Sequence, residues 1–311
     1  MTPAQPLNFA AFLTQRLDQD PTTLEWPGEF SIAGALGPLA VLFDQHNALL
    51  VVVGARAADL KAPELQICLG AGQQAPDLCS RVLVYGQDGE VEAWQALGFA
   101  REGSVAAYWA DGGEARLWAK AWGARAAVAP DDYSAEVIQA PALTDFILPS
   151  GWSCRAAELT DAAAVTALMH QVFPAYQIPT DPGSLRYTLA SGDVHGRLIR
   201  TETGELAAYA AWEFSTTGGS AELTDCATAP DFRQQGLMTY LVSRLEEDMA
   251  DVFGDLAGHS LARADQPAMQ AVLARRGWLR TGRLANHFRL GKTWVSAGLW
   301  NGPADRFKKR S

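Results

Sequence analysis

The stretch Ala221–Asp248, AELTDCATAPDFRQQGLMTYLVSRLEED, constrains the fold more than any other part of the chain. Ala221 to Thr228 mixes apolar and β-branched side chains with two acids, Glu222 and Asp225, and gives way to Pro230, which has no N–H for a continuing ladder. From there Leu237, Met238, Leu241, Val242, Leu245 and Met249 recur at helical spacing, with Arg244, Glu246, Glu247 and Asp248 mostly turned outward. A buried strand therefore feeds an amphipathic helix, and the period switches within Arg233–Gly236. Such a turn leaves the first backbone N–H groups of the helix unpaired and convergent, and the macrodipole adds partial positive charge. A phosphate is the natural occupant. Gly236 permits close approach to a ligand, and Arg233 adds charge at the rim.

A chain of 311 residues has room for two domains, each with its own core. A net charge of -10 argues against nucleic acid or an anionic membrane as partner and suits a cationic small molecule. No basic start followed by an apolar core opens the sequence, and no apolar run is long enough to span a bilayer, so a cytoplasmic location is expected. Cys68, Cys79, Cys154 and Cys226 are widely separated and the histidines are scattered, which suggests neither a disulfide framework nor a metal site.

Along the chain, Phe9–Leu17 reads as a short helix, Leu39–Phe43 and Leu49–Val53 as a hairpin, Arg81–Tyr85 as a strand and Glu90–Leu97 as a helix. Strands Ser104–Trp109 and Ala115–Ala121 follow, separated by Asp111-Gly-Gly. The second half repeats this grammar: ALGFAREG at Ala96–Gly103 matches RRGWLRTG at Arg275–Gly282, each after a helix and before a strand. Duplicated domains are the expectation: 1–140, a linker at 141–151 rich in proline nearby, 152–302, and a basic tail at 303–311. No Arg-x-x-Gly turn precedes an amphipathic helix between Leu39 and Glu90, so the first domain lacks the phosphate loop. In the second, Ser153–Ala157 is a strand, Thr160-Asp161 caps a helix to about Gln171, and Leu198–Arg200 and Leu206–Trp212 form a hairpin. After the central strand and helix come a strand at His259–Arg263, a helix at Pro267–Arg276, and strands at Arg280–Leu290 and Trp294–Leu299.

The order strand, Arg233-Gln234-Gln235-Gly236, Leu237, Met238, helix resembles the acyl-CoA pyrophosphate loop of the GNAT superfamily of N-acetyltransferases, with Met238 where the family has a small residue. The longer string ELTDCATAPDFRQQGL resembles the β-lysine N-acetyltransferase branch, which carries a Thr-Asp-x-Ala-Thr strand before the loop. The resemblance implies an α/β fold of tandem GNAT-like domains, each a mixed, mostly antiparallel twisted sheet flanked by helices. It also implies acetyl-CoA as acyl donor and a small primary amine as acceptor, in that branch the side-chain amine of β-lysine. Val172, Phe173, Tyr176 and Pro179 match the family's acceptor-shaping stretch, whereas Gln177 and Ile178 depart from it. Arg263, Arg283 and Asn286 match family segments, and each arginine suits either a clamp on a substrate carboxylate or a sheet-edge ion pair. Gln270 and His287 stand where the family has Asn.

Acylation needs a neutral amine, and a lysine-like amine near 10.4 is free base in only about one molecule per few thousand at pH 7. A carboxylate must hold the ammonium and take its proton. Glu222 is the first candidate, because many GNAT enzymes place a glutamate on this strand; Asp225 is the second, as base or as a holder of the ammonium. Strand alternation puts the two on opposite faces unless a bulge intervenes, and either one suits a surface pair with arginine. The family's oxyanion donor implies backbone around Cys226, Ala227 and Thr228, with Cys226 itself a small buried residue rather than a nucleophile. The helix at Pro267–Arg276 lacks the tyrosine that many family members use to protonate the leaving thiolate. A non-catalytic acyl-CoA-binding protein is the competing reading.

Overall fold

In the computed structural model of the protein the described residues are 29–34, 37–44, 46–61, 65–66, 69–70, 79–87, 90–126, 146–173, 181–214, 219–253 and 256–303. The expected helix Phe9–Leu17, Tyr176 with its neighbouring prolines, the first half of the linker and nearly all of the basic tail lie outside them. Compactness divides the chain into two units that interleave in sequence. The first takes Met1–Val105, Gly113–Tyr133 and Arg283–Ser296; the second takes Ala106–Gly112, Ser134–Gly282 and Ala297–Ser311.

The first unit is built on a six-stranded sheet in the order β1-β2-β3-β4-β6-β5, where β1 is Glu29–Gly34, β2 Gly37–Asp44, β3 Leu49–Val53, β4 Arg81–Gly86, β5 Ala100–Val105 and β6 Ala115–Ala121. β3 and β4 are continuous apolar runs because both are interior strands, and they pair in parallel along the whole of β3. The helix α1, Val91–Ala96, ends at Gly98, whose φ of 77° lets the N–H of Phe99 return to the Trp94 carbonyl at 3.0 Å. Trp94 stacks on Trp118 at 5.5 Å and meets Phe99 edge-on, closing the core. The strand expected at Ser104–Trp109 begins earlier, because the glycine stop leaves Ala100 already extended. It also ends earlier, since Ala107 takes a φ of 50°. A short helix α2, Gly123–Ala126, carries the buried Arg125, which donates to the carbonyls of Asn47, Asn286 and His287 at 2.7 to 2.8 Å.

The second sheet has seven strands in the order β12-β13-β11-β10-β9-β8-β7. They are β7 Ser153–Ala156, β8 Val194–Arg200, β9 Leu206–Phe214, β10 Ser220–Thr228, β11 Ala257–Arg263, β12 Leu279–Leu290 and β13 Thr293–Asn301. Its helices are α3 Ala162–Val172, α4 Pro182–Ser191, α5 Leu237–Asp248 and α6 Pro267–Arg275. α3 is not capped by Thr160: Glu158 and Asp161 cap each other reciprocally around a single tight turn, and Asp161 also holds Arg155 and Arg200. α4 has no counterpart in the sequence reading. Its face is polar, and its start is fixed by Asp181, which accepts from the N–H groups of Gly183 and Ser184, with Pro182 in the first turn.

The faces of this sheet are distinguished by their partners. Ala208, Ala210, Trp212, Ala221 and Leu223 pack with Leu241, Val242 and Leu245 of α5. Tyr209, Ala211 and Ala227 pack instead with Val165, Leu168 and Met169 of α3. Among the described residues no helix is long and apolar enough to cross a membrane.

Candidate active site

β10 pairs with β9 antiparallel along most of its length, but its parallel pairing with β11 covers only Ser220–Glu222 against Ala257–His259. Beyond that pair β10 runs on to Thr228 and β11 to Arg263, so the edge of β10 facing β11 opens from Glu222 onward. The irregularity lies at the same place. Between Thr224 and Ala227 the register with β9 advances by one residue more on β10 than on its partner, and Asp225 takes a φ of 55°. This is a bulge, and it changes which residues share a face.

Ala221 and Leu223 belong to the α5 core before the bulge, and Ala227 belongs to the α3 core after it. Glu222, alternating with Ala221 and Leu223, therefore lies on the α3 face, and the inserted residue brings Asp225 to that face as well. Cys226 faces the other way, against the α5 core, with its Sγ 3.5 Å from the Thr224 carbonyl. Burial, then Asp225 and Glu222, push its thiol well above the ordinary range, which leaves it a small apolar residue and no nucleophile.

A third carboxylate, which the sequence reading missed, completes the cluster. Glu213 of β9 is the direct cross-strand partner of Glu222, and it shares the α3 face with Tyr209 and Ala211. Like charges placed opposite one another destabilise a sheet by roughly 0.2–1 kcal/mol. Desolvation pushes the Glu222 carboxyl up to about 8, with repulsion from Glu213 and then Asp225 adding to it. Desolvation and then Glu213 push Asp225 up to about 7. Glu213, an exposed residue, is raised by desolvation and then by Asp193. The His259 ring stands 3.9 Å from Glu222, but burial lowers it to about 4, so near neutral pH it brings no charge. Among the described residues no ion pair holds Glu213 or Asp225. Among the described residues the cluster thus gathers three carboxyls, all raised, and no cation.

At the other end of β10 the chain turns through Pro230–Phe232 into α5. Arg233, Gln234, Gln235 and Gly236 are exposed; Gln234 has a φ of 62° and Gly236 one of 80°. A Cβ on Gly236 would meet the Phe146 ring at 3.0 Å, so this position is both left-handed and tight. Among the described residues no side chain caps α5, and its first intrahelical bond runs from Tyr240 N–H to the Gly236 carbonyl. The amides of Leu237, Met238 and Thr239 thus have no helical partner, at the end where the macrodipole is positive. The Nε of Arg233 donates to the Thr228 carbonyl at 3.2 Å, which folds the guanidinium over the end of β10. This cradle fits a pyrophosphate.

The other expected residues fall elsewhere. Arg263, on the α3 face of β11, is held by Asp265 through bonds of 2.9 and 2.6 Å. Arg283 and Asn286 belong to the first unit, where Asn286 is buried and its amide donates to the Arg125 carbonyl at 3.0 Å.

The Acetyltransferase (GNAT) family model matches residues 165–278, the segment that contains α3, the bulged β10, the open turn and α6. Those residues are similar to the GNAT family. The first sheet repeats, as β2-β3-β4-β6-β5, the order β9-β10-β11-β13-β12 of the second, so the fold is α/β with tandem GNAT-like domains. Two curated relatives are similar to this chain. The β-lysine N(6)-acetyltransferase of Methanosarcina mazei is 30% identical over 153 residues, 49% of this chain and 56% of that protein. The N-acetyltransferase YodP of Bacillus subtilis is 32% identical over 152 residues, 48% of this chain and 54% of that protein. The chain thus spans about half the length of each. Among solved structures, the spermidine N-acetyltransferase from Vibrio cholerae in complex with CoA and spermine is 15% identical, over 51% of this chain and 99% of that one, with a TM-score of 0.44.

Proposed function

We propose that this protein is an acetyl-CoA-dependent N-acetyltransferase acting on a small primary amine, with the side-chain amine of β-lysine as the first acceptor to test. The reading is carried by one observation: a cation-deficient carboxylate cluster stands where β10 and β11 part, on the strand that ends in an uncapped helix N-terminus. The family-model match over residues 165–278 and the similarity to the Methanosarcina mazei protein support it.

Acetyl-CoA, when bound, supplies an acyl group activated as a thioester. The amides of Gln234, Gln235, Gly236, Leu237 and Met238, with Arg233 at the rim, are the groups we assign to its pyrophosphate. The backbone of Cys226, Ala227 and Thr228, on the open edge of β10, is assigned to donate to an acyl oxygen lying in the wedge. Glu222 holds the acceptor as its ammonium and accepts the proton that must leave before the nitrogen can attack, directly or through one water. An arriving ammonium favours the ionised form of Glu222 and offsets the repulsion that raises it, so acceptor binding and activation of the base are one event. Asp225 steadies the ammonium from the bulge. The same reading places the transferase domain within 152–302, apart from Arg283–Ser296, which falls in the first unit, and keeps a cytoplasmic setting.

Thiol release from acetyl-CoA, measured with L-β-lysine and with lysine and a polyamine as comparators, tests the proposal. Selective release with β-lysine supports the acceptor. Release with another amine alone removes β-lysine and keeps the transferase. No release with any amine, while CoA still binds, leaves a non-catalytic acyl-CoA-binding protein, the reading favoured by the absence of tyrosine from α6.

A further inference from the structure

We propose that His259 is a positioning residue for Glu222: its neutral ring donates one hydrogen bond, from Nε2, to the ionised carboxylate and so holds the base ready for the acceptor. The proposal rests on the reading of Glu222 as the base and deepens it.

Glu222 and His259 form the last paired rung of β10 and β11 before the two strands part, so their side chains rise from neighbouring strands on one face at the mouth of the wedge. The carboxyl reaches solvent, with 31% of its side chain exposed, whereas the ring keeps only 5%. An acceptor can therefore meet Glu222 and not His259, which suits the ring to act through the carboxyl. Nε2 lies 3.9 Å from Oε2 of Glu222, longer than a hydrogen bond, and a turn of the Glu222 side chain closes that gap when an acceptor settles.

The surroundings of the ring fix where its proton sits. Nδ1 is buried and has no hydrogen-bond partner among the described residues, so a proton there would be an unpaired buried donor. The hydrogen bond with the Ala221 backbone falls to Nε2 for the same reason, and the proton with it. The ring is also held in place. Tyr108 meets it edge-on with centroids 5.8 Å apart, and the Gly219 N–H donates to the Tyr108 carbonyl at 2.7 Å. A Cβ on Gly219 would sit 2.9 Å from the Trp109 carbonyl oxygen, so the loop Ala106–Gly112 lies tight against the chain entering β10. Glu213 from β9 and Asp225 from the bulge both oppose ionisation of Glu222, and Asn301, opposite His259 on β13, is neutral. Against those two acids the ring N–H favours the ionised form that the reaction needs. When Glu222 takes the ammonium proton, Nε2–H returns to the Ala221 carbonyl, and no proton passes through the ring.

Nitrogen NMR of the histidine rings and carbon NMR of labelled glutamate carboxyls, both titrated with pH on the full chain, test the pair without any acetyl transfer, with Glu222→Gln and His259→Phe identifying the signals. The wild-type ring is expected as the Nε2-protonated tautomer, its Nε2 signal following the ionisation of Glu222 and losing that step in Glu222→Gln. His259→Phe keeps a ring against Tyr108 without the N–H. It should raise the Glu222 midpoint by about one unit, a tenfold change in the ionised fraction, and His259→Gln, whose amide reaches the same place, should restore it. In thiol release from acetyl-CoA, His259→Phe should move the acid limb of kcat/KM up by the same amount and rejoin the wild type at high pH, whereas a merely structural loss lowers the rate at every pH. A proton on Nδ1, or an Nε2 signal indifferent to Glu222, overturns the assignment on the wild type alone, whether or not the variant folds. An unmoved midpoint in folded His259→Phe overturns it too. The expected NMR behaviour without thiol release from any amine keeps the pair and removes acetyl transfer. Thiol release with an unmoved acid limb removes His259 and keeps the transferase.

Discussion

β3 and β10 occupy the same place in the two sheets, each antiparallel to the strand before it and parallel to the strand after it. The paths continue alike, since β2-β3-β4-β6-β5 and β9-β10-β11-β13-β12 are the same order. The difference begins in the ladders. β3 stays paired with β4 through all of Leu49–Val53, and the chain beyond it remains tied, with Gly54 N–H donating to the Tyr85 carbonyl at 2.9 Å. β10 leaves β11 after Glu222 and carries a bulge. The turns that follow differ in the same sense. In the first unit a tight turn, Ala57–Lys61, is capped from within: the buried Asp59 carboxylate accepts the Arg56 N–H at 2.8 Å. In the second unit the corresponding helix start is exposed and uncapped. In one copy the acid takes the Arg56 amide; in the other the helix amides meet no such acceptor among the described residues. A strand path is therefore inherited separately from the opening that makes it useful.

The largest expected effect follows from removing the base. Glu222→Gln should lower the turnover rate by about 10²-fold or more while leaving acetyl-CoA affinity within about twofold, measured by thiol release and by calorimetry. The same change sharpens the contrast in stability. Glu222 titrates near 4.5 when unfolded and about 8 when folded, so the folded state holds the proton more tightly between those values. Stability from the protonated carboxyl is fully present below the unfolded value and is lost as pH rises through the folded one. The ligand-free variant should then melt above the wild type when pH exceeds about 8, and the two should converge below 4.5. A variant that melts below the wild type at high pH would show that the cluster is held by cations and is not strained.

The next effect concerns the open turn. Gly236→Val forces a β-branched residue into a left-handed conformation with its Cβ against Phe146, at a cost of about 1–2 kcal/mol. Acetyl-CoA affinity should fall about tenfold, since the amides lose their common direction. Equal affinity for the nucleotide in this variant would place the pyrophosphate elsewhere.

What could be read from the sequence divides along local and non-local lines. The helix start at Leu237, the glycine stops at Gly98 and Gly277, and the hairpins were legible because each depends on a few adjacent residues. Glu222 and Asp225 were legible as candidates, but their sharing of a face depends on a bulge that no period reveals. Glu213 was invisible for a related reason. Alternation along AAYAAWEF puts it on a face with Tyr209, yet its partner is set by the register across a connection whose length does not specify one. α4 was missed because its apolar stripe is thin and its start is written in Asp181 and Pro182 alone. Asn286 matched a family segment, but its amide is occupied by a carbonyl of Arg125, a residue far away in sequence.

Two smaller effects complete the comparison. Asp59→Ala leaves the Arg56 N–H without its charged acceptor and should destabilise the protein by about 2 kcal/mol in denaturant unfolding, with thiol release unaltered by the folded fraction. The smallest effect concerns what the two units share. Gly98 and Gly277 both have φ of 77°, and each is followed by an aromatic residue whose N–H returns into the preceding helix at 3.0 Å. Alanine at either position meets the same left-handed penalty, so Gly98→Ala and Gly277→Ala should each cost about 1 kcal/mol, again by denaturant unfolding. Matching losses would mark the helix stop as a common inheritance of both sheets. A loss confined to Gly277 would mean that Lys120, which a Cβ on Gly98 would approach at 3.2 Å and which donates to the Leu97 carbonyl at 2.8 Å, moves to absorb the change in the first unit.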